Sequence, residues 1–283
     1  MQLATFVRDV TQLPEIGVVV GDSVHPAPPG FAIRDMNHLI AAWQDCAASV
    51  ATWPDVSAPV NLATVRLLAP VPRPSKILAI GQNYAAHAAE TSASIPDRQI
   101  WFSKAVSAVN GPFAPIALPK ASTMVDYEVE LVAVIGRRCR HVTPDTAASV
   151  IFGYCVGNDV SARDWQLRTP QWVLGKSFDT HAPFGPWLTT ADAVADPHRL
   201  DLTCRVNGEP RQSANSHDMV FDVFAQVAEL SQVMTLEPGD IIYTGTPSGV
   251  GMAMSPPRYL AAGDRVTCEI SGLGSIEGVM MPE

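Results

Sequence analysis

The sequence predicts a mainly β fold with some α-helix, that is, the α+β class. Short apolar segments bounded by Pro and Gly outnumber helical patterns, and the 24 Pro and 19 Gly among 283 residues require many turns. Strands and helices do not alternate regularly, which argues against a doubly wound sheet or a TIM barrel. With 47% hydrophobic and 17% charged residues the chain can bury a core, so disordered and coiled-coil proteins are excluded.

A small N-terminal domain is predicted for residues 1–70, followed by a larger domain over 71–283. The proline-rich segment PVPRPSK at 70–76 is the best candidate boundary between them. In the first domain we expect strands at Leu3–Val7, Gly17–Val20 and Leu62–Leu68, with one helix near Met36–Val50.

For the second domain the sequence predicts mostly strands and two helices. Met219–Val233 carries apolar residues at helical spacing, with Ser216 or Asp218 as possible N-cap. A second helix is expected at Thr143-Pro144, since Pro suits the first helical position. Asn207-Gly208 predicts a hairpin turn. The expected strands are Lys76–Ile80, Ile100–Lys104, Tyr127–Gly136, Gly153–Gly157, Trp187–Thr190, Leu200–Val206, Asp240–Thr244, Arg265–Ile270 and Ile276–Met280.

Charge and cysteine use narrow the class of partner. The 19 basic and 28 acidic residues give a net charge of −9, the wrong sign for a general nucleic-acid or anionic-membrane binder. No apolar run approaches the ~20 residues of a membrane span, and Arg8 and Asp9 interrupt the N-terminus, so we expect no secretory signal. The five scattered cysteines lack zinc spacing. We therefore expect free thiols and a cytoplasmic protein without membrane or nucleic-acid partners.

Two glutamates in the segment DYEVELVAVIG at 126–136 are candidate metal ligands. Residues two apart in a strand share a face, so Glu128 and Glu130 should point the same way. Adjacent carboxylates repel each other unless a cation or protons neutralise them. An all-oxygen carboxylate site suits Mg²⁺, Mn²⁺ or Ca²⁺. The alternative is a solvent-facing strand start whose glutamates bind nothing.

A third carboxylate follows the next predicted strand. Asp159 lies where the strand Gly153–Gly157 ends, a usual place for functional groups. With Glu128 and Glu130 it would supply one face of an octahedron, leaving the remaining positions for water and substrate oxygens. The alternative for Asp159 is that it is the N-cap of a helix at SARDWQ. Asp164, in the same segment, is a weaker candidate for a metal ligand.

His87 and Glu90 form a candidate general base. They lie three residues apart in an alanine-rich segment that should be a short helix, hence on one face. A carboxylate beside an imidazole orients it and raises its basicity, as a general base requires. The alternative is a surface His–Glu pair that contributes only a few tenths of a kcal/mol.

Three cations are candidates for binding an anionic substrate. Lys104 in WFSKA and Lys176 in GKSFDT stand among apolar or small residues, although each could extend to solvent. Arg163 could bind a carboxylate through two hydrogen bonds, or pair with Asp164 or Glu90.

The segment YTGTPSGVG at 243–251 ends a strand in a glycine-rich turn. Its backbone N–H groups could bind an oxyanion or a carboxylate. It lacks the lysine of a Walker A loop, and Thr246 replaces the first glycine of a G-x-S-x-G elbow. Gly249-Val250-Gly251 lacks the third glycine of a dinucleotide fingerprint.

Taken in order, these segments resemble the fumarylacetoacetate hydrolase family. The resemblance covers roughly Lys76 to Met281, and the ordered set of motifs is far more specific than any single one. A further match, VNGEPRQSANSHDMVF, has Ser216 where a threonine is commoner in the family. The six motifs are NYxxHxxE at Asn83–Glu90, FSK at Phe102–Lys104, DYEVELVAVIG at Asp126–Gly136, GYCVGNDVSARDWQ at Gly153–Gln166, GKSFDT at Gly175–Thr180 and TGTPSGVG at Thr244–Gly251.

The resemblance implies a mixed β-sandwich roll that encloses one Mg²⁺ or Mn²⁺ per subunit, a homodimer, and a small extra N-terminal domain that some relatives carry. It implies a water-activating dyad on a segment that often acts as a lid, and a lysine that neutralises developing charge. The implied metal ligands are Glu128, Glu130 and Asp159; the dyad is His87 and Glu90; Lys176 is the charge-neutralising lysine; and Arg163, Gln166, Thr246 and Lys104 bind substrate.

The family implies a reaction of a small anionic 2-oxo acid or its enol, with the metal polarising the carbonyl and stabilising the enolate. The presence of both His87 and Glu90 favours C–C hydrolysis of a 2,4-dioxo acid, of the acylpyruvate, fumarylpyruvate or diketo-deoxy-sugar-acid type. A decarboxylase of the oxaloacetate type or an isomerase (tautomerase) on the same scaffold is the alternative. A non-catalytic binding protein is the third hypothesis and the least favoured, because a merely structural role would not require this complete set of ligands and dyad residues.

Overall fold

The computed structural model describes residues 1–9 and 12–283, and within them the strands form three sheets. The predicted mainly β, α+β class is confirmed. The strands are β1 (Gln2–Arg8), β2 (Pro14–Val20), β3 (Ser23–Pro26), β4 (Val60–Asn61), β5 (Val65–Leu67), β6 (Ile77–Gly81), β7 (Ile100–Ser103), β8 (Val109–Asn110), β9 (Ile116–Leu118), β10 (Val125–Asp126), β11 (Val129–Ile135), β12 (Ile151–Asn158), β13 (Ser161–Ala162), β14 (Ala182–Thr190), β15 (Asp201–Val206), β16 (Glu209–Asn215), β17 (Ile241–Tyr243), β18 (Arg265–Ile270) and β19 (Gly274–Pro282).

The α-helices are short. No helix among the described residues has the length and apolar character needed to cross a membrane. The α-helices are α1 (Met36–Ala41), α2 (Trp43–Ala51), α3 (Trp53–Val56), α4 (Ala85–Glu90), α5 (Pro144–Ala147), α6 (Arg163–Gln166) and α7 (Val223–Val233).

The largest sheet runs through both halves of the chain. Its strand order is β4-β3-β2-β1-β14-β12-β11-β17-β6-β7, with β5 paired to β1 and β8 to β14. The N-terminal strands therefore extend the sheet through the antiparallel β1–β14 pair, in which Gln2 lies opposite Thr189. The domain boundary expected near residue 70 stays a prediction.

Apolar residues cover both faces of this sheet. On one face, Leu131 and Tyr154 pack with Cys204 and Cys268 of the five-stranded sheet β16-β15-β18-β19-β9 and with α7, which makes a sandwich. On the other face, the N-terminal helices pack against β1, β11 and β14 through residues such as Trp53. The central strands β11 and β12 are buried along their whole length, so they form a rigid base for the residues at their ends.

Several elements differ from the sequence prediction in extent. The helix expected over Met36–Val50 is two helices, α1 and α2, separated at Ala42. The strand expected at Leu62–Leu68 is a 3₁₀ turn at Leu62–Thr64 followed by β5. The hairpin at Asn207-Gly208 and the helix beginning at Pro144 are confirmed, with φ values of 53° and 81° at the two turn residues.

The helix expected over Met219–Val233 begins later, at Val223, and neither predicted N-cap is used. Its N-cap is Asp222, whose side chain accepts a hydrogen bond from the Ala225 N–H at 2.7 Å. Met219 instead forms a β-bridge with Tyr84. Pairing with a distant segment thus replaces the first helical turn that the local pattern favours.

Candidate metal centre and active site

Three carboxylates meet at one end of the central strand pair. Glu130 lies in β11 opposite Gly157 of β12, Glu128 directly precedes β11, and Asp159 directly follows β12. The Asp159 N–H donates to the Glu128 carbonyl at 2.8 Å, which closes the end of the ladder. One oxygen of each carboxylate lies within 4.8 Å of the others. Asp159 is not a helix N-cap, because that position before α6 is Ala162.

This carboxylate cluster fits a divalent cation. All three residues are buried, and their oxygens are the donors that Mg²⁺ and Mn²⁺ prefer. Burial, followed by the charges of Asp159 and Glu128, holds the pKa of Glu130 well above its ordinary value. Burial also opposes ionisation of Glu128, but Lys176 and Arg163 outweigh it and hold the pKa of Glu128 below its ordinary value. The cluster thus carries repulsion that a bound cation would relieve.

Lys176 contacts two carboxylates of this cluster. Its Nζ donates to Oε2 of Glu128 at 2.7 Å and to Oδ2 of Asp159 at 2.6 Å, and it lies 4.9 Å from the centre of the Phe102 ring. Although burial opposes its charge, the neighbouring Asp159 and Glu128 raise the pKa of Lys176 above its ordinary value. The residue is 2% exposed, so the alternative of a solvent-directed lysine is excluded.

Lys104 has a different place from the one predicted. Its fully buried side chain forms an ion pair with Oδ1 of Asp159 and donates to the Val160 carbonyl at 3.2 Å. It is absent from the wall of the cavity in front of the cluster. The structure therefore shows Lys104 in contact with Asp159, and its expected contact with the substrate stays a prediction.

Arg163 lies at the start of α6 and pairs with neither Asp164 nor Glu90. Its Nε donates to Asp126 at 2.9 Å, and its Nη1 donates to Glu128 at 2.6 Å and to Gln166 at 2.9 Å. Its Nη2 is buried and has no hydrogen-bond partner among the described residues. A buried unpaired donor carries a free-energy penalty, which an anion entering the cavity would remove.

The His87–Glu90 pair forms as predicted, on helix α4. Nδ1 of His87 lies 2.7 Å from Oε1 of Glu90, and His87 is 8% exposed, so this is not a surface pair. The other oxygen of Glu90 accepts the Gly249 N–H at 2.8 Å. Within the described residues, Nε2 of His87 has no hydrogen-bond partner, which leaves it available for proton transfer.

The glycine-rich segment 244–252 is held by acidic side chains. The Gly245 N–H donates to Glu130 at 2.7 Å, and the N–H groups of Gly251 and Met252 donate to Asp126 at 2.8 and 3.0 Å. With the Gly249 bond, these amides already have carboxylate acceptors. The expectation that the segment at 243–251 binds a substrate oxyanion through its amides is therefore corrected for Gly245, Gly249 and Gly251.

A cavity of about 220 Å³ opens in front of the carboxylate cluster. Phe102 and Trp172 form part of its wall in an edge-on pair with ring centres 5.5 Å apart. Most of the predicted site residues line it: His87, Glu128, Glu130, Arg163, Gln166, Lys176 and Thr246.

Two buried residues that were not predicted as site residues, Asp126 and Gln212, support this wall. Asp126 continues the every-second-residue spacing of Glu128 and Glu130, a signal that was present in the sequence. Gln212 donates to Thr246 Oγ1 at 2.7 Å and to the Pro247 carbonyl at 2.8 Å, and its place in the matched segment VNGEPRQSANSHDMVF was the signal for it.

Fold and site together define a β-sandwich protein with a buried three-carboxylate centre, flanked by basic side chains and a His–Glu pair in one cavity. The family model "Fumarylacetoacetate (FAA) hydrolase C-terminal" matches residues 76–280. The chain belongs to the fumarylacetoacetate hydrolase family and is an enzyme of it, as the ordered motifs predicted.

Individual relatives cover most or all of the chain. Oxaloacetate tautomerase Fahd2a, mitochondrial, of Rattus norvegicus is 50% identical over 213 residues, 75% of this chain and 68% of the relative. The structure of fumarylacetoacetate hydrolase from Exiguobacterium antarcticum is 37% identical, with a TM-score of 0.90 over 100% of both chains. Maleylpyruvate hydrolase from Sphingobium sp. SYK-6, in complex with manganese(II) and pyruvate, is 36% identical, with a TM-score of 0.84 over 100% of this chain and 99% of the other.

Proposed function

We propose that the protein is a divalent-metal-dependent enzyme that converts a small 2-oxo acid by way of its enolate. One observation carries this proposal: a single cavity is lined by candidate metal ligands, by Lys176 and Arg163, and by His87. When bound by Glu128, Glu130 and Asp159, Mg²⁺ or Mn²⁺ would act as a Lewis acid toward the 2-oxo group. The manganese and pyruvate in the complex of the 36% identical relative support this choice of ion and ligand.

The basic side chains of the cavity suit an anionic substrate. Lys176 holds a fixed positive charge beside the triad, where it would stabilise the negative charge that develops as an enolate forms. Arg163 offers the unpaired Nη2 to a carboxylate. Because both cations are buried and already oriented by acidic partners, little reorganisation is needed when the charge develops.

His87 would move the proton. Glu90 holds Nδ1, so Nε2 is the atom that takes a proton from a carbon next to the 2-oxo group, or from an attacking water. Both reactions use the same base and differ in what it deprotonates.

Keto–enol tautomerisation of an oxaloacetate-type acid is the reaction we place first. It is favoured by the 50% identity to an oxaloacetate tautomerase, against 36% identity to maleylpyruvate hydrolase. C–C hydrolysis of a 2,4-dioxo acid, the reaction that the sequence favours, is the second candidate because the His87–Glu90 pair is oriented to activate water.

The test compares three reactions of the purified protein with Mg²⁺ or Mn²⁺. Decay of enol-oxaloacetate absorbance reports tautomerisation, loss of acylpyruvate absorbance reports hydrolysis, and pyruvate release from oxaloacetate reports decarboxylation. We expect His87→Ala to slow tautomerisation and any hydrolysis by roughly 10²–10⁴, the usual contribution of a general base. Decarboxylation should fall less, because enolate formation by loss of CO₂ needs no base.

The matched control is His217→Ala, a change at an exposed histidine outside the cavity, which should leave all three rates unchanged. No turnover of any 2-oxo acid by the metal-loaded wild type would overturn the proposed function. Efficient acylpyruvate hydrolysis without tautomerisation would reverse the order of the two candidates.

We also propose that the enzyme is a cytoplasmic homodimer, as expected from the family resemblance and the free cysteines. Light scattering after size exclusion should then give twice the 30.3 kDa chain mass. A monomer mass across micromolar concentrations would contradict the dimer, and fractionation of the source cells tests the compartment.

A further inference from the structure

Asp126 is a buried carboxylate with no part in the chemistry described so far. It ends the short strand β10 and has no exposed surface. Four donors converge on it: Oδ1 accepts the N–H groups of Tyr127 at 2.9 Å and Gly251 at 2.8 Å, while Oδ2 accepts Nε of Arg163 at 2.9 Å and the Met252 N–H at 3.0 Å. With its oxygens so occupied, Asp126 is unsuited to act as a base or as a fourth metal ligand.

These bonds join two walls of the cavity that are far apart in the sequence. Arg163 is 37 residues from Asp126, and Gly251 is 125 residues from it. Arg163 and Met252 both line the cavity. One carboxylate therefore sets the position of the guanidinium relative to the glycine-rich segment.

The geometry determines which atom of Arg163 is left for a ligand. Asp126 holds Nε, and Glu128 and Gln166 hold Nη1, so the planar fork is fixed on two of its three nitrogens. Nη2 is buried without a partner. Without the charge of Asp126, Glu128 would be the one acidic partner left to the guanidinium among the described residues. Both remaining contacts, to Glu128 and Gln166, are made by Nη1, so the fork could rotate about that nitrogen.

We infer that Asp126 is a positioning residue, which locks Arg163 to the 249–252 segment so that Nη2 is presented to the anionic part of the substrate. This inference rests on the proposed function, because it takes the ligand of the cavity to be a small carboxylate. Asp126 acts through Arg163 and touches no reacting atom.

The test measures binding of oxalate to the Mn²⁺-loaded protein by calorimetry, together with the Mn²⁺ affinity itself. We expect Asp126→Asn to weaken oxalate binding by roughly 10- to 100-fold, the range for one charge-assisted hydrogen bond. The amide matches the carboxylate in shape but carries no charge, and its –NH₂ group must face one of the two donor pairs, Tyr127 and Gly251 or Arg163 and Met252. Mn²⁺ affinity should fall by less than the roughly 10- to 100-fold that loss of a direct partner of a metal ligand costs, because Asp126 reaches Glu128 only through Arg163.

Asp164→Asn is the matched control, because it makes the same change at the residue next to Arg163. Asp164 accepts from Ser122 at 2.6 Å and from the Trp165 N–H at 3.0 Å, outside the cavity wall, so oxalate affinity should stay at the wild-type value. A double-mutant cycle with Arg163→Lys separates positioning from general destabilisation. If Asp126 acts through Arg163, the double variant should bind oxalate nearly as well as Arg163→Lys alone.

Wild-type oxalate affinity in folded Asp126→Asn, or fully additive losses in the cycle, would overturn the inference. If that variant shows no cooperative thermal transition, Asp126→Glu replaces it: the shifted carboxylate should still weaken oxalate binding, and wild-type affinity would again overturn the inference. If the wild type binds oxalate but turns over no 2-oxo acid, the proposed function is overturned. The role of Asp126 in oxalate binding can still be tested in that case. A metal-loaded wild type that turns over a 2-oxo acid but binds no oxalate would overturn the inference about Asp126 and leave the proposed function standing.

Discussion

Glu90 binds His87 through one oxygen and the Gly249 N–H through the other, at 2.7 and 2.8 Å. The same carboxylate therefore orients the candidate base and attaches helix α4 to the glycine-rich segment 159 residues away. A change at Glu90 should affect both the chemistry and the position of the helix.

Replacement of Glu90 by Gln should lower kcat for tautomerisation or hydrolysis by roughly 10², near the lower end of what a general base contributes. The amide can accept from only one of its two present donors, since its –NH₂ group would face the other. Steady-state kinetics check this, with Glu229→Gln on the exposed side of α7 as control. A wild-type kcat in Glu90→Gln would mean that His87 needs no orienting carboxylate.

Glu130→Gln should abolish metal-dependent activity and leave a folded protein. The neutral amide keeps the shape and can still accept from Gly245, but it removes a charged oxygen from the triad. Mn²⁺ affinity, measured by calorimetry, should fall by more than the roughly 100-fold that losing an outer-shell partner costs. Glu269→Gln, at an exposed glutamate of β18, should bind Mn²⁺ like the wild type. Full activity after treatment with EDTA would rule out the metal requirement.

Lys176→Met should lower kcat/KM by roughly 10² or more, the effect of losing one preorganised electrostatic contact. It should not weaken Mn²⁺ binding, because Lys176 now neutralises the oxygens of Glu128 and Asp159 that a cation would share. The same change at exposed Lys120 should alter neither quantity. Near-wild-type kinetics in Lys176→Met would show that this ammonium has no part in turnover.

His181 should make the protein less stable in mild acid. Burial lowers its pKa to about 4, and its Nε2 lies 2.9 Å from the Ala117 carbonyl. The unfolded chain binds a proton near pH 6.5 while the folded chain does not. The free energy of unfolding should therefore fall as pH drops from about 6.5 to 4, by up to ~3 kcal/mol, and this contribution should not grow further below pH 4.

Urea unfolding at pH 7 and pH 5 measures this effect. His181→Gln, which keeps a donor for Ala117, should reduce the difference between the two pH values, whereas the same change at exposed His217 should not. An equal pH dependence in His181→Gln and wild type would assign the acid sensitivity to other groups.

Much of the site was predictable because its signals are local or ordered along the chain. The two-residue spacing of Glu128 and Glu130, the strand end before Asp159 and the three-residue spacing of His87 and Glu90 each put chemistry at a definable place. The order of six motifs then identified the family, which the match over residues 76–280 confirmed.

The sequence by itself thus determined the α+β class, the family and the residue types of the site. Only the tertiary structure brought Lys104 into contact with Asp159, Asp126 into contact with both Arg163 and the glycine-rich segment, and Gln212 into contact with Thr246. It also replaced the first turn of the predicted 219–233 helix by pairing of Met219 with Tyr84. The periodicity of a sequence indicates on which face of a helix or strand a side chain lies. These contacts join residues from 34 to 135 positions apart, and only the packing of the sheets decides which distant groups meet.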